Sequence, residues 1–269
     1  MLAHAFVRSA LLAGSPIAIA SGLVGYFAVL RGQVFAGDTL SHVAFAGALA
    51  AAAAGLDLRL GLFLATIAVA LLLAAVGVRA RSDDVAIGIV FAWVLGMGAF
   101  FLDRVNVGAG GADGTIAART LFGSIFGLAA GDARLAAAVA LAVALATVAI
   151  ARPLLYATLD PRVALAQGLP VRALGAGFLV LVAIQVAEGT QTVGALLVLG
   201  LLAAPAGAAA KLTANPYRAL ALAPAIALAA TWGGIALSFA IPSLPPSSAI
   251  IALACGCYAA ATLLSARRR

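Results

Sequence analysis

Leu60-Gly61-Leu62-Phe63-Leu64-Ala65-Thr66-Ile67-Ala68-Val69-Ala70-Leu71-Leu72-Leu73-Ala74-Ala75-Val76-Gly77-Val78 is a run of 19 residues without one charged side chain. An α-helix rises about 1.5 Å per residue, so a hydrocarbon layer of roughly 30 Å takes about 20 apolar residues to cross. The run meets that length, and it does not alternate as the ~10-residue strands of an outer-membrane barrel do. It predicts a membrane-spanning helix.

Runs of the same kind recur on both sides of it, at 6–30, 36–55, 60–78, 85–102, 134–151, 172–187, 191–210, 218–240 and 247–265. The fold class that follows is an all-α polytopic membrane protein, 1–269 forming one transmembrane domain with about nine spans, eight being the alternative count. Composition agrees: 65% of the chain is hydrophobic and 9% charged, against about 45–50% and 25% in a soluble domain. The first run, Phe6 to Leu30, is too long for a signal-peptide core and is followed by Arg31 and Gln33, so it reads as a retained span. A glycine-rich stretch between the fourth and fifth spans, 104–132, contains a short apolar piece, Thr120 to Ala130, expected to dip into or lie on the outer face.

The net charge of +7 comes from residues scattered between apolar runs, a pattern that sets topology and gives no stripe for nucleic acid. With nine spans the connections fall into two alternating groups. One holds Arg31, Arg79, Arg81, Arg152, Arg162, Arg172, Lys211, Arg218, Arg267, Arg268 and Arg269; the other holds Arg8, Arg59, Arg104, Arg119 and Arg134. The positive-inside rule assigns the richer group to the cytoplasm, the N-terminus to the outside and the C-terminus to the cytoplasm.

An ionisable side chain inside a span costs about 2.5–3.5 kcal/mol on insertion scales, so each needs a reason. Asp38 and His42 open the second span, in Gly37-Asp38-Thr39-Leu40-Ser41-His42. Four residues apart, they share a helix face about 6 Å apart along the axis, and a carboxylate with an imidazole is the beginning of a divalent metal site. The competing reading makes Asp38 a helix N-cap and His42 an interhelical polar contact. Glu188, with Gln185 and Gln191, sits at the predicted outer boundary of the sixth span, where it either draws cations to a pathway or is a solvated loop carboxylate. Asp83 and Asp84 read as a helix-start cap. His4 reads as a terminal residue, and Cys255 and Cys257 as small packing residues of the last span. Gly14 with Ala18, Gly22, and Gly96 near Gly98 fit close helix approach.

Leu159-Asp160-Pro161-Arg162-Val163-Ala164-Leu165-Ala166-Gln167-Gly168-Leu169-Pro170 carries a start signal, Asp160-Pro161, and a stop, Gly168 then Pro170. It predicts a short independent cytoplasmic helix over about 158–169, suited to docking a soluble partner or simply a surface connector. The chain has no G-x-x-x-x-G-K-[ST] phosphate loop, no His-Glu-x-x-His helix and no nucleophile elbow, so an enzyme is not expected and any energy source is a partner or an ion gradient.

These residues resemble the permeases of metal-ion ABC importers for zinc, manganese and iron. Gly37-Asp38-Thr39-Leu40-Ser41-His42, continuing to Gly47, is similar to that family's second-span signature, Leu121-Phe122-Gly123 to its outer-loop segment, and Val193-Gly194-Ala195-Leu196-Leu197-Val198 with Pro205-Ala206 to its late motif. Relatives often carry proline just before the glycine at 47, where this chain has Ala46. The resemblance implies a homodimeric permease in a bacterial cytoplasmic membrane, two cytoplasmic ATP-binding subunits and an extracytoplasmic metal-binding protein. It implies no permanently bound cofactor, with Zn2+ or Mn2+ as cargo. It places Asp38 and His42 on the metal pathway, and Asp160, Pro161 and Gly168 in the helix that couples to the ATPase. Zinc is favoured for a pair containing histidine, manganese next. The alternatives are a permease for iron chelates or corrinoids, a secondary cation transporter built of paired halves, and a structural membrane anchor.

Overall fold

The computed structural model describes residues 4–76, 84–108, 118, 120–241 and 243–266. Its elements in order are α1 (Ala5–Leu30), α2 (Val34–Ala53), α3 (Leu58–Val76), α4 (Asp84–Gly108), a 3-10 turn (Ile125–Gly127), α5 (Ala130–Leu159), α6 (Pro161–Ala166), α7 (Val171–Thr192), α8 (Val198–Leu212), α9 (Pro216–Ala240) and α10 (Pro246–Ala266). Among the described residues there is no strand, and eight helices are long and apolar enough to cross a bilayer. The seventh predicted span, 191–210, is represented by α8, a helix of only 15 residues. Arg79, Arg81, Asp83, Arg119 and the terminal arginines lie outside the described residues, as do Gly110, Gly111 and Gly114 of the outer stretch.

Contacts between helix ends sort the bundle into two rims. At one, His4 before α1 stacks near Phe239 of α9, and Arg59 of α3 reaches Asp132 of α5 and Glu188 near the end of α7. At the other, Arg31 at the end of α1 bonds Thr158 in the last turn of α5, and the ends of α8 and α10 line one cavity of about 280 Å³. α8 therefore runs from rim to rim despite its length, because a non-helical segment, Val193 to Leu197, makes up the rest of the passage.

That segment needs partners for its backbone, since buried N–H and C=O groups have no water to turn to inside a membrane. It finds them in the stretch that begins at Thr120. Ala195 N donates to Thr120 O (2.9 Å) and Leu196 N to Leu121 O (3.2 Å), while Val198 N turns back to Gly194 O (2.9 Å). Gly123 (φ 72°) and Gly194 (φ 104°) make this pairing possible: a Cβ on either would strike the backbone of the other's segment. Within the short apolar piece after Thr120, Ile125 is fully buried while Phe122 is exposed.

Helices of this bundle meet at bare backbone. Gly47 and Gly61 face each other between α2 and α3, Gly25 lies on the Leu202 carbonyl of α8, and Gly22 on Pro224 of α9. Such approaches give close van der Waals contact where lipid supplies no hydrophobic drive. α2 runs unbroken through Ala46 and Gly47. Of the small residues expected at contacts, Gly14 meets Ile125 and Thr231, whereas Gly96 meets nothing. Cys255 and Cys257 are exposed on α10 rather than packed.

Glu188 corrects its expectation. α7 continues past 187 to Thr192, because nothing interrupts it before Gly194, and carries Glu188 fully buried into an ion pair with Arg59 Nη2 at 2.5 Å. Arg59 remains partly exposed and lies 4.0 Å from Asp132. Loss of either partner is therefore unequal. Arg59→Met strands a carboxylate that pairs with no other cation among the described residues, a loss of about 3–5 kcal/mol, whereas Glu188→Gln leaves Arg59 free to turn to Asp132 and solvent. In detergent, Arg59→Met should lower the midpoint of thermal aggregation clearly more than Glu188→Gln; equal shifts would contradict the arrangement. Gly194→Ala, which adds backbone strain of about 1–3 kcal/mol to a collision, should lower it as well, while Gly96→Ala should leave it unchanged.

Candidate functional site

α2 begins at Val34, so Asp38 is its fifth residue and lies beyond the first turn, where the orphan N–H groups are. The residue in the N-cap position is Gln33, whose side chain makes no capping bond. Asp38 is thus no cap. The serine and threonine around it are self-contained: Thr39 Oγ1 donates to Phe35 O (3.0 Å) and Ser41 Oγ to Asp38 O (2.7 Å), both buried. Asp38 and His42 are half-buried one helical turn apart, and among the described residues neither has a hydrogen-bond or ion-pair partner. The imidazole meets only the edge of Phe91 on α4, 5.1 Å between centroids at 83°. A carboxylate and an imidazole held on one face without internal partners remain available to an incoming cation. Among the described residues no three of His, Cys, Asp and Glu gather in one place, so one chain supplies two side-chain donors here.

α6 forms as its punctuation predicts. Asp160 caps it, its Oδ1 accepting from Arg162 N and Val163 N (3.0 Å each), Pro161 occupies the first helical position, and Gly168 (φ 78°) closes it with Leu169 N donating to Ala164 O. Ala164 turns inward while Val163 and Leu165 stand exposed at the rim.

Two features escaped the sequence reading. One is the buried Arg59–Glu188 pair; Gln185, Glu188 and Gln191 recur every three residues in an otherwise apolar helix, a spacing that marks one buried polar stripe. Gln185 Nε2 donates to Ile17 O (3.0 Å) and Ser21 Oγ (2.9 Å) of α1. The stripe braces α7 against α1 and α3, and among the described residues it makes no hydrogen bond or ion pair with Asp38 or His42. The other is Arg31, half-buried at the end of α1; burial lowers its pKa from the ordinary value, though a guanidinium stays charged at any working pH.

The arrangement has known counterparts. A sequence model of the ABC 3 transport family matches residues 3–265. The chain is 29% identical over 269 residues to the manganese transport system membrane protein MntC of Halalkalibacterium halodurans, covering all of this chain and 90% of that protein. It is 27% identical over 235 residues to a probable iron transport system membrane protein of Haemophilus influenzae, covering 87% of this chain and 84% of that one. In structure it is similar to PsaBC from Streptococcus pneumoniae in complex with Fab, with a TM-score of 0.81 at 23% identity over 96% of this chain and 91% of that chain, which shows the same fold. With its apolar helices and this kinship it is a multi-pass protein of the cell membrane, and the secondary-transporter and anchor readings fall away. The chain belongs to the ABC 3 transport family, as a membrane permease subunit of a transport system and not an enzyme.

Proposed function

We propose that the chain is the permease of an ABC importer that carries a divalent first-row transition metal across the cytoplasmic membrane, with Asp38 and His42 touching the ion in transit. The observation that carries this is the unpartnered carboxylate and imidazole one turn apart inside α2. An ion that must leave again is suited by few ligands. Two donors from one chain fall short of the four that zinc ordinarily takes, and a second copy across a dimer would supply another aspartate and histidine. Oxygen and nitrogen donors suit manganese, iron(II) and zinc alike, and ligand affinity alone ranks zinc above manganese. The names of the relatives weigh the other way, manganese recurring among them, so manganese is placed first and zinc second. A chelated-iron reading is favoured by a relative in Yersinia pestis named for that cargo, 25% identical over 240 residues.

The rim with Arg31, Arg162, Arg172, Lys211 and Arg218 is taken as cytoplasmic, leaving the N-terminus outside and α6 facing the cytoplasm. Asp160, Pro161 and Gly168 then shape the seat of the ATP-binding subunits, and an external metal-binding protein delivers the ion to the Arg59–Asp132 rim. ATP binding at the partner biases a two-state change of access.

Reconstituted with its ATPase and binding protein in vesicles, the parent should take up manganese in an ATP-dependent manner, with zinc competing. Asp38→Ala and His42→Ala should each lower uptake by roughly 10–100-fold while the complex assembles and hydrolyses ATP. Parental uptake in both variants would remove the pair from the pathway.

A further inference from the structure

We infer that Arg31 is a positioning residue that links the docking helix α6 to the metal-bearing helix α2, through Thr158 on one side and Gln33 on the other. The inference rests on the reading of α6 and of Asp38 and His42 given above.

α1 ends in a closed turn. Gln33 N donates to Ala28 O (2.8 Å) and Gly32 N to Val29 O (3.2 Å), with Gly32 at φ 67°, so both bonds of a Schellman motif are present. This turn leaves two residues, Gly32 and Gln33, between Arg31 and the first residue of α2, Val34, and Asp38 follows four residues later on continuous helix. Displacing Arg31 therefore moves the start of α2 with little slack to absorb it.

The guanidinium is held from several sides. Nε donates to Gln33 Oε1 and Nη1 to Thr158 Oγ1, each at 3.1 Å. Thr158 Oγ1 donates its own proton to Leu154 O (2.6 Å), which fixes a lone pair toward Arg31. The charge lies over the Phe178 ring at 5.7 Å, and the bare face of Gly175 on α7 gives Nη2 its room, since a Cβ there would stand 3.3 Å away. Thr158 is two residues before Asp160, the N-cap of α6. One side chain thus touches the entry to α2, the root of α6 and the face of α7.

The chemistry of this junction is unusual for a plain brace. Arg31 is half-buried, yet among the described residues its hydrogen-bond partners are neutral and no carboxylate pairs with it. Desolvating a guanidinium without a counter-ion is expensive, and a neutral side chain would tie two helices at lower cost. What the guanidinium adds is a planar fork of donors that binds two acceptors in fixed directions at once, a linkage that a single-point contact does not provide.

The test uses the whole reconstituted complex and reads metal uptake and ATP hydrolysis on the same vesicles, with manganese as the probe. Thr158→Val keeps the shape and removes the acceptor, Thr158→Ser keeps the acceptor, and Arg31→Lys keeps the charge and removes the fork. Expected is that Thr158→Val and Arg31→Lys hydrolyse ATP at about the parental rate while manganese taken up per ATP falls roughly fivefold or more, and that Thr158→Ser retains the parental ratio. A parental ratio in Thr158→Val and Arg31→Lys would overturn the linkage, and so would a matched loss of hydrolysis and uptake that Thr158→Ser shares, which marks a purely structural role. Asp38→Ala run alongside separates the premises: normal uptake in that variant refutes the metal-pathway reading, while the valine-to-serine comparison at 158 still decides the linkage.

Discussion

Inside a bilayer a peptide group must find its hydrogen bond within the protein, and this fold is organised around the one place where a helix cannot provide it. Between α7 and α8 the chain runs non-helically from Val193 to Leu197, and the N–H groups of Ala195 and Leu196 are taken up by the carbonyls of Thr120 and Leu121. The stretch from Thr120 to Ile125 is therefore part of the core. Irregular backbone at membrane depth survives only where protein covers it, and here the cover is the connection that leads into α5. The arrangement also lets a helix of 15 residues complete a passage that its neighbours make with 19 or more.

The same economy governs the contacts between helices. Gly25 against the Leu202 carbonyl and Gly47 against Gly61 bring backbones together where side chains would hold them apart. Large apolar side chains such as Ile89, Trp93 and Phe100 of α4 face outward instead, toward lipid or another chain. The interior mixes alanine and glycine with leucine, valine, isoleucine and phenylalanine, and adds a few polar braces, of which Arg59 with Glu188 and Arg31 with Thr158 stand at opposite rims. Asp38 and His42 are set apart from both braces because, among the described residues, their side chains have no hydrogen-bond or ion-pair partner.

Most of the helical content was legible because a lipid core demands long uninterrupted apolar runs, and such runs are visible without any knowledge of contacts. The caps of α6 were legible for a similar reason: Asp160, Pro161 and Gly168 act on their own backbone. What depends on partners far along the chain was not. Glu188 looked like a loop residue because only Arg59, 129 positions away, makes its burial tolerable. The seventh span looked full-length because its early residues are apolar, yet Gly194 leaves the helical region to receive Gly123, and that need comes from the outer stretch. Asp38 could be read as a cap until the helix proved to start at Val34. The sequence placed the cysteines in a span without saying which way the helix turns.

The facing of Gly123 and Gly194 has a consequence for how such a chain can change over generations. Each glycine leaves space for the main chain of the other's segment, so no second substitution can compensate for a side chain gained at either one. The two positions are epistatic with the peptide backbone itself, which does not mutate. Divergence can replace the outward leucines freely and can exchange one buried methyl for another, but it passes around this crossing. Descendants of the fold can therefore drift far in sequence while retaining the same two residues at the mouth of α8.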